Sequence, residues 1–246
     1  MKFNKAKFIN DGFLVQKKII SDSYIKKFFK EIKHIVEIYK EKNFETLFNE
    51  TKERNLIYKK LQNLNSVRSI VHKVCNKFEK HKIYKKLGFK VPFITNGLIL
   101  SLPKENDNLN PLHQDIYNFY SYNFIKIWLP LTQVSNKNGS MLAYKSSNSL
   151  GFIEPKYKNN NSTYPEIEKK FTKGFKEVIF NLNPGDCVIF DPFLLHKSVK
   201  NSSKFTRFNI GIDIQDFDIK GDPKIINKMI SIKKERSERR QLKKNK

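Results

Sequence analysis

The chain has 246 residues, 39% of them hydrophobic, and a formal net charge of +24 at pH 7, which is enough to bury one good core and is a common length for a single β-rich domain. It contains no run of about eighteen apolar residues to span a bilayer, and no apolar block of the secretory kind follows the basic opening Met1-Lys2-Phe3-Asn4-Lys5. Its two cysteines, Cys75 and Cys187, support neither a zinc cage nor a disulfide framework, so the expected setting is the reducing cytoplasm.

The first long helix is expected after a Ser21-Asp22 cap and runs to about Lys42, with Ile25, Phe28, Phe29, Ile32, Ile35, Val36 and Tyr39 forming a stripe against a sheet. Further helical stretches near residues 54–64 and 66–87 carry Leu56, Ile57 and Leu61, then Val67, Ile70, Val71, Val74 and Phe78, and Gly88 is placed to end the last. His34, His72 and His81 fall in these lysine-rich helices and read as solvated. His72 and Cys75 share a helical face, but two further zinc ligands are lacking nearby.

From Phe89 the pattern changes to short β-rich runs at residues 89–94, 98–102, 124–131, 141–144, 175–182, 187–190 and 205–214. The connections at 103–111 and 146–172 are long; the first leads toward His113, and the second reads either as a mobile lid or as a surface insertion. Beyond Pro223 a short helix is expected to fray into disorder. The whole predicts a mainly β fold with flanking α, a double-sheet jelly roll. A single domain would cover 1–223, with a helical layer over about 1–88, a core over about 89–215 and a basic tail at 224–246.

The charge is uneven. Lys and Arg outnumber Asp and Glu by 23 to 9 over residues 1–90, 15 to 13 over 91–223 and 10 to 2 over 224–246. Lysine supplies 42 of the 48 basic residues, whereas a phosphate-recognition surface favours arginine. The surplus is read as compositional drift ahead of a nucleic-acid surface, which stays the alternative.

His113-Gln114-Asp115 is the most informative motif. On extended backbone, residues two apart point to one face, so His113 and Asp115 can reach one metal, and the third ligand must come from another strand. His196 qualifies, following the buried run Cys187-Val188-Ile189-Phe190, which is entered through the turn Asn183-Pro184-Gly185-Asp186. Two imidazoles and a carboxylate on one face of Fe(II) leave the opposite face for a co-substrate and dioxygen. Phe208, Ile210, Ile212 and Ile214 alternate onto one face of their strand, which puts Arg207, Asn209, Gly211 and Asp213 on the other. A guanidinium there can grip the distal carboxylate of 2-oxoglutarate through two parallel hydrogen bonds, and Ser198 can add a hydroxyl. Lys104, Lys126 and Lys145 are available to meet an anionic substrate.

These residues resemble the phytanoyl-CoA dioxygenase-like branch of the Fe(II)/2-oxoglutarate oxygenases. Phe8-Ile9-Asn10-Asp11-Gly12-Phe13 is similar to the family's opening turn. Asn138-Gly139-Ser140-Met141-Leu142 and Lys145-Ser146-Ser147-Asn148 are similar to its "NG-small-L … PGSH" segment, with Lys145-Ser146 in place of Pro-Gly and Asn148 in place of His. Pro184-Gly185-Asp186, Phe190, His196, Ser198, Asn201 and Arg207 match its last block. The resemblance implies a cupin-like double-stranded β-helix, iron ligands at His113, Asp115 and His196, and 2-oxoglutarate contacts at Arg207, Ser198, Gln114 and Trp128. It also implies Fe(II), 2-oxoglutarate and O2 as cofactor and co-substrates, and a small or carrier-bound substrate. The carboxylate at 115 implies hydroxylation, since related halogenases carry a small residue there.

Overall fold

The computed structural model describes residues 2–50, 54–101, 110–116, 119–159, 162 and 164–244. Their elements run α1 (Lys5–Asp11), β1 (Phe13–Gln16), α2 (Asp22–Ile38), α3 (Phe44–Glu50), α4 (Arg54–Gln62), α5 (Asn65–Lys80), α6 (Ile83–Leu87), β2 (Pro92–Ser101), β3 (Phe124–Pro130), β4 (Met141–Tyr144), β5 (Glu177–Ile179), β6 (Cys187–Phe190), β7 (His196–Ser198), β8 (Arg207–Asp216) and α7 (Pro223–Lys244). The strands form a five-stranded sheet, β1-β6-β3-β8-β2, and a three-stranded sheet, β5-β4-β7, antiparallel throughout. This is a jelly roll of two sheets without barrel closure. None of the described helices is long and apolar enough to cross a membrane.

Strand β8 shows how the layers arise. Its even positions Phe208, Ile210, Ile212 and Ile214 are buried in the cluster that includes Phe28, Ile32, Val67, Ile70, Val74 and Phe78 from the helices. Phe208 alone meets the rings of Phe28, Phe29 and Phe44 at centroid distances of 5.4, 6.0 and 4.9 Å, contacts worth about 0.5–1.5 kcal/mol each beyond area burial. On the other side, Phe13, Trp128, Met141, Phe180, Val188 and Phe190 form the core between the sheets. The helical layer thus seals one face of the large sheet, and the small sheet covers the face that carries the odd residues of β8.

Several elements differ from expectation. The runs at 89–94 and 98–102 are one strand, because β2 pairs residue by residue with β8 from Pro92↔Asp216 to Ser101↔Arg207, and Gly97 lies opposite Gly211 instead of turning. Helix α2 stops at Ile38, and Ser21 makes no side-chain cap bond. The expected 66–87 helix is broken at Lys82 (φ 55), which separates α5 from α6; Gly88 (φ 83) ends α6. The 103–111 connection lies largely outside the described residues. The 146–172 segment is neither a free lid nor a loose insertion: Ile153 and Ile167 are buried with Leu112, Tyr144 and Leu195, and Ile167 N–H donates to Leu112 O at 2.8 Å. The tail is a 22-residue helix whose Met229 is buried with Ile116, Phe119 and Phe124.

At the departure from "PGSH", Ser146 stands where the motif has glycine and holds φ 69, a left-handed conformation that costs an L-residue about 1–2 kcal/mol. Its neighbours need that turn: Ser147 Oγ accepts from Leu195 N–H at 2.8 Å, and Asn148 donates to Ile9 O at 3.0 Å. Ser146→Gly is expected to raise stability by about 0.5–1 kcal/mol, after glycine's greater unfolded entropy is deducted. Urea unfolding checks this, and a lower midpoint would refute it.

Candidate metal centre

His113 and His196 face each other across a two-residue bridge, with His113 N–H to His196 O at 3.0 Å and His196 N–H to His113 O at 3.1 Å. Only this bridge, and not a full strand, presents the His-x-Asp motif. The Asp115 N–H to Pro192 O bond, 2.9 Å, fixes the residue that follows. The extended geometry still turns His113 and Asp115 to one side: His113 Nε2 lies 3.3 Å from Asp115 Oδ1, and His196 Nε2 lies 3.5 Å from Asp115 Oδ2. One ligand atom from each of the three lies within 4.8 Å of the others.

The donor chemistry fits a divalent metal. His113 Nδ1 is 2.7 Å from Pro111 O and His196 Nδ1 is 2.9 Å from Leu194 O. A carbonyl only accepts, so each Nδ1 carries the proton and each Nε2 offers a lone pair toward Asp115. Burial, with His196 alongside, lowers the His113 pKa, which favours the neutral ligand form. Burial alone would raise the Asp115 pKa, but the Lys126 ammonium beside it holds it well below the usual carboxylate range. Lys126 Nζ sits 3.2 Å from Asp115 Oδ2 and 2.8 Å from Asp213 Oδ1. Lys126 is therefore committed inside the protein and is not free to meet an anionic substrate. Lys145 is likewise paired, 3.2 Å from Asp11, and Lys104 lies outside the described residues.

A cavity of about 380 Å³ opens beside these groups and is lined by His113, Asp115, His196, Trp128, Ser198 and Arg207, among others. Arg207 is buried, stacks 5.6 Å from the Trp128 ring and donates from Nη1 to Asn209 Oδ1. Its Nε and the Asn209 Nδ2 are buried without hydrogen-bond partners. Among the described residues no carboxylate pairs with this guanidinium, whose pKa burial depresses to about 10, so it stays charged at neutral pH. A buried cation beside two unused donors fits the carboxylate end of a small dianion.

Gln114 turns elsewhere. Its Nε2 donates to Gly151 O and Phe193 O, both at 2.7 Å, and its Oε1 accepts from Ile153 N–H at 3.0 Å. The expected co-substrate contact is replaced by a staple that joins the metal motif to the 151–153 backbone. Asn209 and Asp213 escaped the sequence reading as parts of the site, and Lys126 was expected there as a substrate contact instead of a partner of Asp115 and Asp213. The alternation of β8 put Asn209 and Asp213 on the correct face, but nothing in the sequence signalled their partners.

The phytanoyl-CoA dioxygenase (PhyH) family model matches residues 8–209. The chain belongs to the phytanoyl-CoA dioxygenase family. As a member it is a non-haem iron enzyme that uses Fe(II), 2-oxoglutarate and dioxygen for oxygenase-type chemistry. Solved structures share its fold at low identity. The non-heme monooxygenase ThoJ in its apo form is 16% identical with a TM-score of 0.62, over 98% of this chain and 99% of that one. EvdO2 from Micromonospora carbonacea var. aurantiaca, complexed with 2-oxoglutarate, is 12% identical with a TM-score of 0.55, over 91% and 96%. The epimerase SnoN in complex with Fe3+, alpha ketoglutarate and nogalamycin RO is 14% identical with a TM-score of 0.53, over 86% and 81%. No curated protein matches the chain.

Proposed function

We propose that this phytanoyl-CoA dioxygenase family member hydroxylates an aliphatic C–H bond of a small or carrier-bound metabolite, with His113, Asp115 and His196 as iron ligands. The observation that carries the reading is the pair of Nε2 lone pairs turned onto one ionised carboxylate, in the same cavity as a buried guanidinium that no carboxylate among the described residues pairs with. When bound there, Fe(II) with 2-oxoglutarate and dioxygen supplies oxidative decarboxylation to succinate and CO2 coupled to insertion of one oxygen atom into the C–H bond.

The chain's own groups do the rest. The carbonyls of Pro111 and Leu194 fix the tautomer of both imidazoles, and Lys126 keeps Asp115 ionised. Arg207 receives the distal carboxylate of 2-oxoglutarate, with the Ser198 hydroxyl beside it. Trp128 covers the guanidinium and keeps water from it. A cavity of about 380 Å³ suits a small molecule or the end of a carried one, and SnoN, with its bound nogalamycin derivative, is a same-fold precedent. Cys75 and Cys187 are free thiols, which fits a reducing compartment, and we place the enzyme in the cytoplasm.

The test is oxygen-dependent succinate release by purified protein with Fe(II), ascorbate and 2-oxoglutarate, screened against metabolite extracts. Succinate above the metal-free control, rising with one extract fraction, is expected, along with a hydroxylated product of 16 mass units more. Absence of succinate under every condition refutes the reading. Stimulation by DNA or RNA alone, with steep salt dependence, redirects it to a nucleic-acid substrate.

A further inference from the structure

Helix α7 presents a single stripe to the body of the protein. Ile225, Met229 and Ile232 pack with Phe152 and Phe193, and the next positions at the same four-three spacing are Arg236 and Arg239. There the stripe changes from aliphatic to guanidinium where it meets tyrosines: the Arg236 Cζ lies 4.0 Å from the Tyr164 ring centroid, and that of Arg239 lies 3.9 Å from the Tyr157 ring. Arg239 also donates to Asn159 O at 3.4 Å, and Lys228 pairs with Glu154. The helix thus meets Phe152, Glu154, Tyr157, Asn159 and Tyr164 in turn. The chain holds only six arginines against 42 lysines, and three of the six are Arg236, Arg239 and Arg240. A planar guanidinium stacks on an aromatic face where an ammonium makes only a point contact, which suits Arg236 and Arg239 to these two rings.

These contacts reach the metal site. The Tyr164 ring stands edge-on to His113, with centroids 5.7 Å apart and planes at 82°. The Nδ1 bond fixes the His113 tautomer, and the plane of its ring is limited by what packs on it, the His196 ring at a centroid distance of 4.2 Å and Tyr164. We propose that Tyr164, clamped from behind by Arg236, is a positioning residue that sets the plane of the His113 imidazole, making the C-terminal helix part of the metal site's outer support. The proposal rests on His113 being a metal ligand.

The test is Co(II) titration of the purified full chain, followed by the fluorescence of Trp128, which is the only tryptophan and lines the same cavity as His113; melting of each metal-free variant is measured in parallel. Tyr164→Ala and Arg236→Ala are each expected to weaken Co(II) binding about tenfold, the scale of outer-shell losses. Tyr164→Phe, which keeps the ring, and Arg239→Ala, which spares Tyr164, should stay within about twofold of wild type. Wild-type affinity in both Tyr164→Ala and Arg236→Ala overturns the proposal while leaving the metal centre intact. So does an affinity loss in Arg239→Ala that matches theirs and follows the melting temperature. If the wild type binds no Co(II), both readings fall.

Discussion

Asp115→Ala is expected to abolish succinate formation and to weaken metal binding by more than the roughly 100-fold that loss of an outer-shell partner can cost. Asp115 is the sole anion of the set and both Nε2 atoms point at it, so its loss leaves two neutral imidazoles whose separation nothing then bridges. Lys126 would retain Asp213 at 2.8 Å and bring an ammonium beside the metal position with only one carboxylate to offset it. His113→Ala should behave the same way by removing one donor of three. Metal content after dialysis and succinate yield give the answer; a variant retaining both at wild-type level would end the assignment of these three residues.

The second large effect belongs to Arg207. Arg207→Met keeps a long, flexible apolar side chain but removes the charge, and should raise the KM for 2-oxoglutarate by 100-fold or more, taking about 3 kcal/mol for a lost buried charge contact. The stability effect should have the opposite sign. The guanidinium has no carboxylate partner among the described residues, and its Nε is unsatisfied, so the Nη1 bond to Asn209 and the Trp128 ring offset only part of its desolvation in the metal-free, co-substrate-free protein. Arg207→Met should therefore melt at or above the wild-type temperature. It should also lose the stabilisation, about 2.7 kcal/mol at a hundredfold excess over Kd, that 2-oxoglutarate confers on the Co(II)-loaded wild type. Melting curves with and without 2-oxoglutarate separate the two contributions; an intact thermal shift in the variant would move the co-substrate anchor elsewhere.

What the sequence disclosed follows from which interactions are local. The period-two pattern of residues 207–214 is legible because one face of β8 meets helices and the other a polar cavity, and the stripe of α2 is legible for the same reason. Thr95-Asn96-Gly97 reads as a break because composition alone marks a turn, while pairing with all of β8 overrides it. Lys82 hides a helix break that only its φ reveals. Gln114 sits between two proposed ligands and reads as one of the site, yet its amide is consumed by backbone 37 and 79 residues away. The approach of Tyr164 to His113 and of Arg236 to Tyr164 depends on tertiary packing that no local pattern announces. The charge tally likewise read the surplus over residues 224–246 as compositional drift, because stacking of guanidinium on a ring leaves no periodic trace.

Strand β8 does two jobs with one backbone. Even positions close the oily seam under the helices and odd positions carry Arg207 and Asp213 to the cavity, and both neighbours lock its phase, Ser101 opposite Arg207 and Pro130 opposite Asn209. Point replacements on either side can be absorbed one at a time. Inserting or deleting a single residue between 207 and 214 would instead exchange the two sides wholesale, driving a guanidinium into hydrocarbon and isoleucines into the reaction chamber. Length changes that the connecting loops can tolerate are thereby forbidden to this stretch, which ties the proposed site and folding to the same strand.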